Sequence, residues 1–368
     1  MAVKRAISTV DSVFARIETQ TGLGSPQSLL PADRSTVFAA GIVHTLSPET
    51  RAFSEYRRTD AATQANPTVF DQVLSVGLRN THAVHEGLLV ETSAEHLSVL
   101  SGHQRDAYAL AGGVNYSDGA RWKVLTRLEY RRLSDDDSLP GNQAQGQWLS
   151  TVTAARQISG DWTLLLKDYG LLQRNHDDPT GQPLGALRQQ RFITGFAWRP
   201  LDNNRINALA SWEFKKVDDR SQALGEHYAA DIVSLNLDYH PDRPTWTSGH
   251  VAAKRRTDTV APDLRSSFDA YYLAGRMTRE IGSSFDIGVM AARLWQGGHG
   301  PRLDAAGLEG GYVVARNAWI SVGYNWTGFT DRDLAASDYT QRGVYLRVRM
   351  KFDESALASG HSKGAKAE

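Results

Sequence analysis

The chain has 368 residues, 41% hydrophobic and 22% charged, and its 41 Lys and Arg balance 41 Asp and Glu. That balance excludes a disordered polyelectrolyte and, by bulk charge, a nucleic-acid binder, while the lack of Cys excludes disulfide frameworks, thiolate chemistry and zinc-thiolate sites. No run of about 18 apolar residues occurs, so no helix crosses a membrane.

In chain order, residues 1–12 carry Lys4 and Arg5 without the apolar stretch or cleavage site of a secretory signal, and read as a lead segment. Residues 13–21 alternate Val13, Ala15, Ile17 and Thr19 against Phe14, Arg16 and Glu18, a pattern open to a strand or a short amphipathic helix. The first unambiguous strand is 36–46. Long alternating segments follow, including 122–133, 205–216, 231–239, 268–278, 318–329 and 343–352. In the first of these, Trp122, Val124, Thr126, Leu128 and Tyr130 fall on one face and Lys123, Arg127, Glu129 and Arg131 on the other, because strand side chains alternate with period two.

Short turn signals at 47–49, 82–87, 117–119, 159–161, 200–204, 241–244, 281–283 and 315–317 alternate with longer polar loops at 134–146, 175–187, 217–226, 296–302 and 330–339. One end of the sheet therefore has tight turns and the other long loops. Strands apolar on one face and charged on the other suit either a soluble β protein or a transmembrane barrel with a wet lumen. Segments near ten residues match a tilted membrane strand and exceed the usual propeller strand. Trp122, Trp162, Trp246 and Trp319 open strands just after short turns and Trp198 sits just before one, which predicts an aromatic girdle at that level.

The expected fold is all-β: a transmembrane antiparallel up-and-down β-barrel of about 18 strands (16 to 18) over 13–353, followed by a disordered polar tail at 354–368. The even count requires that 13–21 supply a strand.

The last segment, Gln341-Arg342-Gly343-Val344-Tyr345-Leu346-Arg347-Val348-Arg349-Met350-Lys351-Phe352, resembles the C-terminal signal by which the barrel-assembly machinery recognises outer-membrane barrels, with Gly343, Leu346, Val348, Met350 and Phe352 as its signature. It departs from that pattern in continuing past the aromatic residue. Upstream, Gly323-Tyr324-Asn325-Trp326-Thr327-Gly328-Phe329 and the hairpin that begins Gly195-Phe196-Ala197-Trp198 are similar to the barrel domains that close large repeat-bearing surface proteins of Gram-negative bacteria. The resemblance implies a bacterial outer-membrane location and anchoring or translocation of a surface passenger. The partners it implies are outer-membrane lipid and lipopolysaccharide, the barrel-assembly machinery, and a passenger domain or envelope partner, with no cofactor.

The residues expected to line the lumen are Glu91, Glu95, Lys123, Arg127, Glu129, Arg131, Glu213, Lys215, Arg276, Arg347, Arg349 and Lys351. Mixed signs on neighbouring strands predict paired charges and weak ion selectivity. The alternative function is a passive or weakly selective channel for small solutes, and a third reading is a soluble β binding module. His82, His85 and Glu86 at one turn, and Asp135 to Asp137 and Asp177 to Asp178 in loops, are metal-ligand types without a metal-site register, so no metal is assigned. No catalytic motif is present and no enzymatic activity is expected.

Overall fold

A computed structural model describes residues 2–21, 34–62, 69–101, 106–133, 145–175, 185–203, 205–220, 226–242, 244–261, 264–298, 300–315, 318–331, 333–334 and 340–350. It is all-β. The strands are β1 (Ala2–Ala6), β2 (Asp11–Thr21), β3 (Arg34–Thr45), β4 (Thr50–Ala62), β5 (Val69–His85), β6 (Leu88–Ser101), β7 (Ala107–Ser117), β8 (Trp122–Leu133), β9 (Gln145–Gln157) and β10 (Trp162–Asn175). They continue with β11 (Ala186–Trp198), β12 (Ile206–Asp219), β13 (His227–Asp242), β14 (Thr245–Ala261), β15 (Leu264–Ile281), β16 (Phe285–Gln296), β17 (Arg302–Ala315), β18 (Ala318–Thr327) and β19 (Gly343–Met350).

Each strand pairs antiparallel with the next, giving an up-and-down barrel sheet. Segment 13–21 is strand, lying within β2 and paired along its length with β3. The strands number 19, one above the expected range, because the lead segment contributes β1, five residues paired with β2. β1 occupies the second edge of β2 and runs in the same direction as β19, so it cannot close the sheet antiparallel. Among the described residues no register joins β19 to β1 or β2.

Alternation divides the wall into two chemically different faces. On β19, Val344, Leu346 and Val348 are 71%, 67% and 58% exposed on the outside, whereas Tyr345 is 8% exposed and shares its inner face with Arg347. On β13, Val233, Leu235 and Leu237 point outward between inward-facing Ile232, Ser234 and Asn236. Such an outer surface, apolar and unpartnered over most strands, fits a bilayer and not water.

Two levels of aromatic rings bound the apolar band. At the short-turn end Trp162 and Trp198 lie 6.2 Å apart, Phe285 and Tyr312 5.0 Å apart, and Trp122 packs under Arg156. Toward the long loops a second row comprises Tyr130 with Trp148, Phe192 with Trp212, and Tyr271 with Trp295. From Phe285 to Trp295 on β16 is ten residues; at a rise of ~3.3 Å and a tilt of about 40° this spans about 25 Å, the height of a membrane barrel's lipid-facing band.

Two girdle assignments are corrected. Trp246 stacks on His240 and lies in phase with inward-facing Ala252 and Lys254, and Trp319 is in phase with buried Ser321 and Asn325. Both therefore belong to the lumen side of the short-turn rim. Position after a turn does not set the phase, since turns of different length enter the strand on different faces.

Candidate functional site

The site is the lumen. Glu91, Glu95, Lys123, Arg127, Glu129, Arg131, Glu213, Lys215, Arg276 and Arg347 all fall on the inward phase of their strands. The side chain of Arg349, like Lys351 and the signature residues Met350 and Phe352, lies outside what the structure describes. Leu346 and Val348 of that signature face outward.

Four of the inner carboxylates are each held between two cations. Glu129 meets Arg127 at 2.9 Å and Arg131 at 2.6 Å, and Glu55 meets Arg57 at 2.6 Å and Arg16 of β2 at 3.2 Å. Glu213 accepts hydrogen bonds from the Nε and Nη2 of Arg191 at 2.7 and 3.1 Å, with Lys215 at 3.2 Å. Glu309 bonds Arg276 and Tyr345 and lies 3.9 Å from Arg347. Tyr345 lies flat over Gly323, the residue paired with it on β18, where any side chain would collide with the ring. Glu129 and Glu55 are bridged to alternate positions on their own strands and Glu213 to neighbouring β11, as same-face residues in a sheet allow, whereas Arg16 reaches Glu55, and Arg276, Tyr345 and Arg347 reach Glu309, over one intervening strand.

A different contact crosses the lumen. The connection after β18 turns inward, and Asp333 bonds Lys215 of β12 at 2.5 Å and Lys254 of β14 at 3.1 Å. Both lysines are only 8% exposed. Asp331 shapes the turn, its Oδ1 accepting from the backbone N–H groups of Asp333 (3.0 Å) and Leu334 (2.6 Å). The legs of the loop are tied by the Thr340 hydroxyl donating to the Phe329 carbonyl at 2.8 Å, and they cross so closely at Gly328 that a Cβ there would strike the opposite backbone. Burial alone would raise the Asp333 carboxyl, but the ammonium groups of Lys215 and Lys254 hold it below the usual carboxylate value.

Phe329 and Leu334 anchor this loop by burial. They pack on Ile232, Ala252, Ala270, Tyr272, Ala274, Ala292 and Ala305, a lumen-side patch on β13 to β17. Sequence reasoning did not single out Phe329, Asp331, Asp333 and Leu334, because the period-two pattern ends at the loop and gives no side-chain direction within it. The available signal was the run of Ala at inward positions of four consecutive strands, a shallow apolar floor that requires cover. Near the short turns, inward-facing Leu125 of β8 is half exposed.

The turn residues His82, His85 and Glu86 are dispersed: His82 Nδ1 meets Glu49 at 3.0 Å and His85 Nδ1 meets the Glu86 carbonyl at 2.7 Å. Among the described residues no group of three metal-ligand side chains converges. Asp135 to Asp137 and Asp177 to Asp178 lie outside the described residues.

An antiparallel up-and-down sheet, apolar outside between two aromatic rows and charged within, defines the class: an outer-membrane β-barrel of the bacterial envelope. The comparisons agree on the fold. The FrpB iron transporter from Neisseria meningitidis (F3-3 variant) superimposes with a TM-score of 0.51 at 9% identity, over 92% of this chain and 67% of that one. The siderophore receptor PirA from Pseudomonas aeruginosa gives 0.50 at 10% identity, over 95% of this chain and 74% of that one. The chain matches no protein-family model and no curated protein.

Proposed function

We propose that the barrel is a diffusion channel for small polar solutes, narrowed from the long-loop side by the described residues of the connection after β18, Phe329, Asp331, Asp333 and Leu334, and weakly ion-selective. The observation that supports it is the lumen wall. Segment 13–21, which could fill the lumen if it were not part of the sheet, is strand within that wall, paired with β3 along its length and with β1 over 13–16. Where the connection after β18 meets the wall, Arg191, Lys215 and Lys254 are matched by Glu213, Asp331 and Asp333, so the fixed charges cancel and ion selectivity is weak and screened by salt.

Anchoring or translocating a passenger is the competing role, and it requires a lumen filled by a connecting segment. Planar-bilayer recording from the full chain separates the two. The channel reading expects a steady conductance with an anion-to-cation permeability ratio near one. A barrel that inserts, as judged by heat-modifiable gel mobility, but stays electrically silent defeats it and returns the anchor.

A further inference from the structure

Elsewhere on the outer face, charged side chains are paired: Arg58 with Asp60 at 3.0 Å, Arg255 with Asp269 at 3.7 Å, and Arg293 with Asp304 at 2.6 Å. β8 to β12 differ. There Arg132, Arg174, Arg188 and Lys216 are exposed on the outer face, and among the described residues none has an ionic partner. The registers place them together. Arg132 and Arg174 both pair with Gly146, Arg188 sits between Leu172 on β10, in the row of Tyr130 and Trp148, and Asp218 on β12, and Lys216 sits opposite Gln190 one row below.

Beneath these cations the wall is hollowed. An outer-face groove of about 570 Å³ runs over Leu128, Trp148, Gly170, Leu172 and Phe214, with Arg188 and Lys216 at its rim. Gly170 and Ser150 form its floor, since larger side chains at those positions would fill it. A second trough of about 670 Å³ on the other flank of Leu128 and Trp148 is lined by Leu78, Ala94, Leu110 and Gly112. Asp218, the carboxylate lining the first groove, is already bound by Arg220 at 3.1 Å and His227 at 2.8 Å. Asp168 nearby accepts from Gln190 at 2.5 Å.

The depth is that of a lipid headgroup. On β10, Trp162 of the short-turn girdle and Leu172 are ten residues apart, about 25 Å along the barrel axis. Arg174 and Arg188 therefore begin where the acyl region ends. Unpaired cations at this level are stabilised by anionic lipid, and a zwitterionic headgroup, which carries its own cation, supplies no net complement. Two apolar troughs that meet at Trp148 suit an amphiphile with several chains below one phosphorylated head. We infer that β8 to β12 form a specific seat for a phosphorylated, multiply acylated glycolipid of the outer leaflet. The phosphate bridges Arg188 and Lys216 with Arg174 and Arg132 around it, and the chains lie along the Leu128–Trp148 ridge. The inference rests on the chain being a membrane barrel and is independent of whether the lumen conducts.

The test is native mass spectrometry of the full chain in detergent, titrated with bis-phosphorylated lipid A. At about a fivefold loss per basic residue near an anionic surface, R188Q/K216Q is expected to bind roughly 30-fold more weakly, while R255Q on the paired side binds like the parent. Heat-modifiable mobility establishes that each variant is folded. Dephosphorylated lipid A on the unaltered chain repeats the loss without any substitution. Inorganic phosphate at millimolar concentration leaves lipid retention unchanged. Equal binding by R188Q/K216Q, equal binding of the dephosphorylated lipid, or displacement by inorganic phosphate would each overturn the seat, the last by reducing it to a free-anion site.

Discussion

Replacing Asp333 by Asn tests whether the inward loop controls the lumen. The substitution keeps shape and removes the charge that neutralises Lys215 and Lys254. Stranding a buried partner costs about 3 to 5 kcal/mol. Here Lys215 retains Glu213 at 3.2 Å and Lys254 retains Asp331 at 3.9 Å, so about 2 kcal/mol is the reasonable loss, equivalent to roughly 30-fold in the ratio of docked to undocked loop. Phe329 and Leu334 remain buried and contribute about 2 kcal/mol each, so the loop still docks most of the time. Single-channel recording in planar bilayers is expected to show the same closed level with a roughly 30-fold larger population of a wider, higher-conductance state. The effect of pH follows from the direction of the Asp333 shift. Its carboxyl is held below the ordinary value of 3.8, so its contribution is complete above that value and is lost as pH falls through the lowered one. Traces at pH 7 and pH 5 should match, with opening only in stronger acid, and D333N should lack that acid transition. An open population for D333N within twofold of the parent at pH 7, or an acid transition that survives the substitution, would refute the reasoning.

Other outcomes follow from the same geometry. Leu334→Ala removes an almost fully buried side chain and should release the loop by about 2 to 4 kcal/mol, seen as a high-conductance state at every pH. Val233→Arg, on the lipid face, should destabilise the folded barrel by about 2 to 4 kcal/mol in urea titrations from liposomes, whereas Ser234→Arg on the lumen face should cost far less; equal losses would reverse the assignment of faces. Polar replacement of Leu346 together with Phe352 should block insertion, with the unfolded band persisting in heat-modifiable gels, and normal folding of that double variant would remove the assembly-signal argument.

Period-two alternation is a local property, and for that reason strands, faces and the end with tight turns were legible in the chain itself. Val344, Leu346 and Val348 had to share one face and Arg347 the other whatever the neighbours were, because a pleated backbone allows nothing else. Even 13–21, ambiguous by pattern, resolved as β2 once a partner edge on β3 was present to satisfy its backbone groups. Phase at strand ends was not legible: Trp246 and Trp319 entered their strands on the lumen side, since the turn's geometry and not its position chooses the face. Nor was the extra strand β1, whose five residues carry little pattern and acquire structure by pairing with β2. The contacts that narrow the lumen were least accessible of all. Asp333 meets a lysine 118 residues before it and another 79 before it, and no periodicity links positions brought together only by the curvature of the whole wall. The same holds for the unpaired cations of β8 to β12, which are scattered in the chain and become a cluster only through register. Local sterics and burial set what each segment is, while the registers and curvature of many strands set what each segment meets.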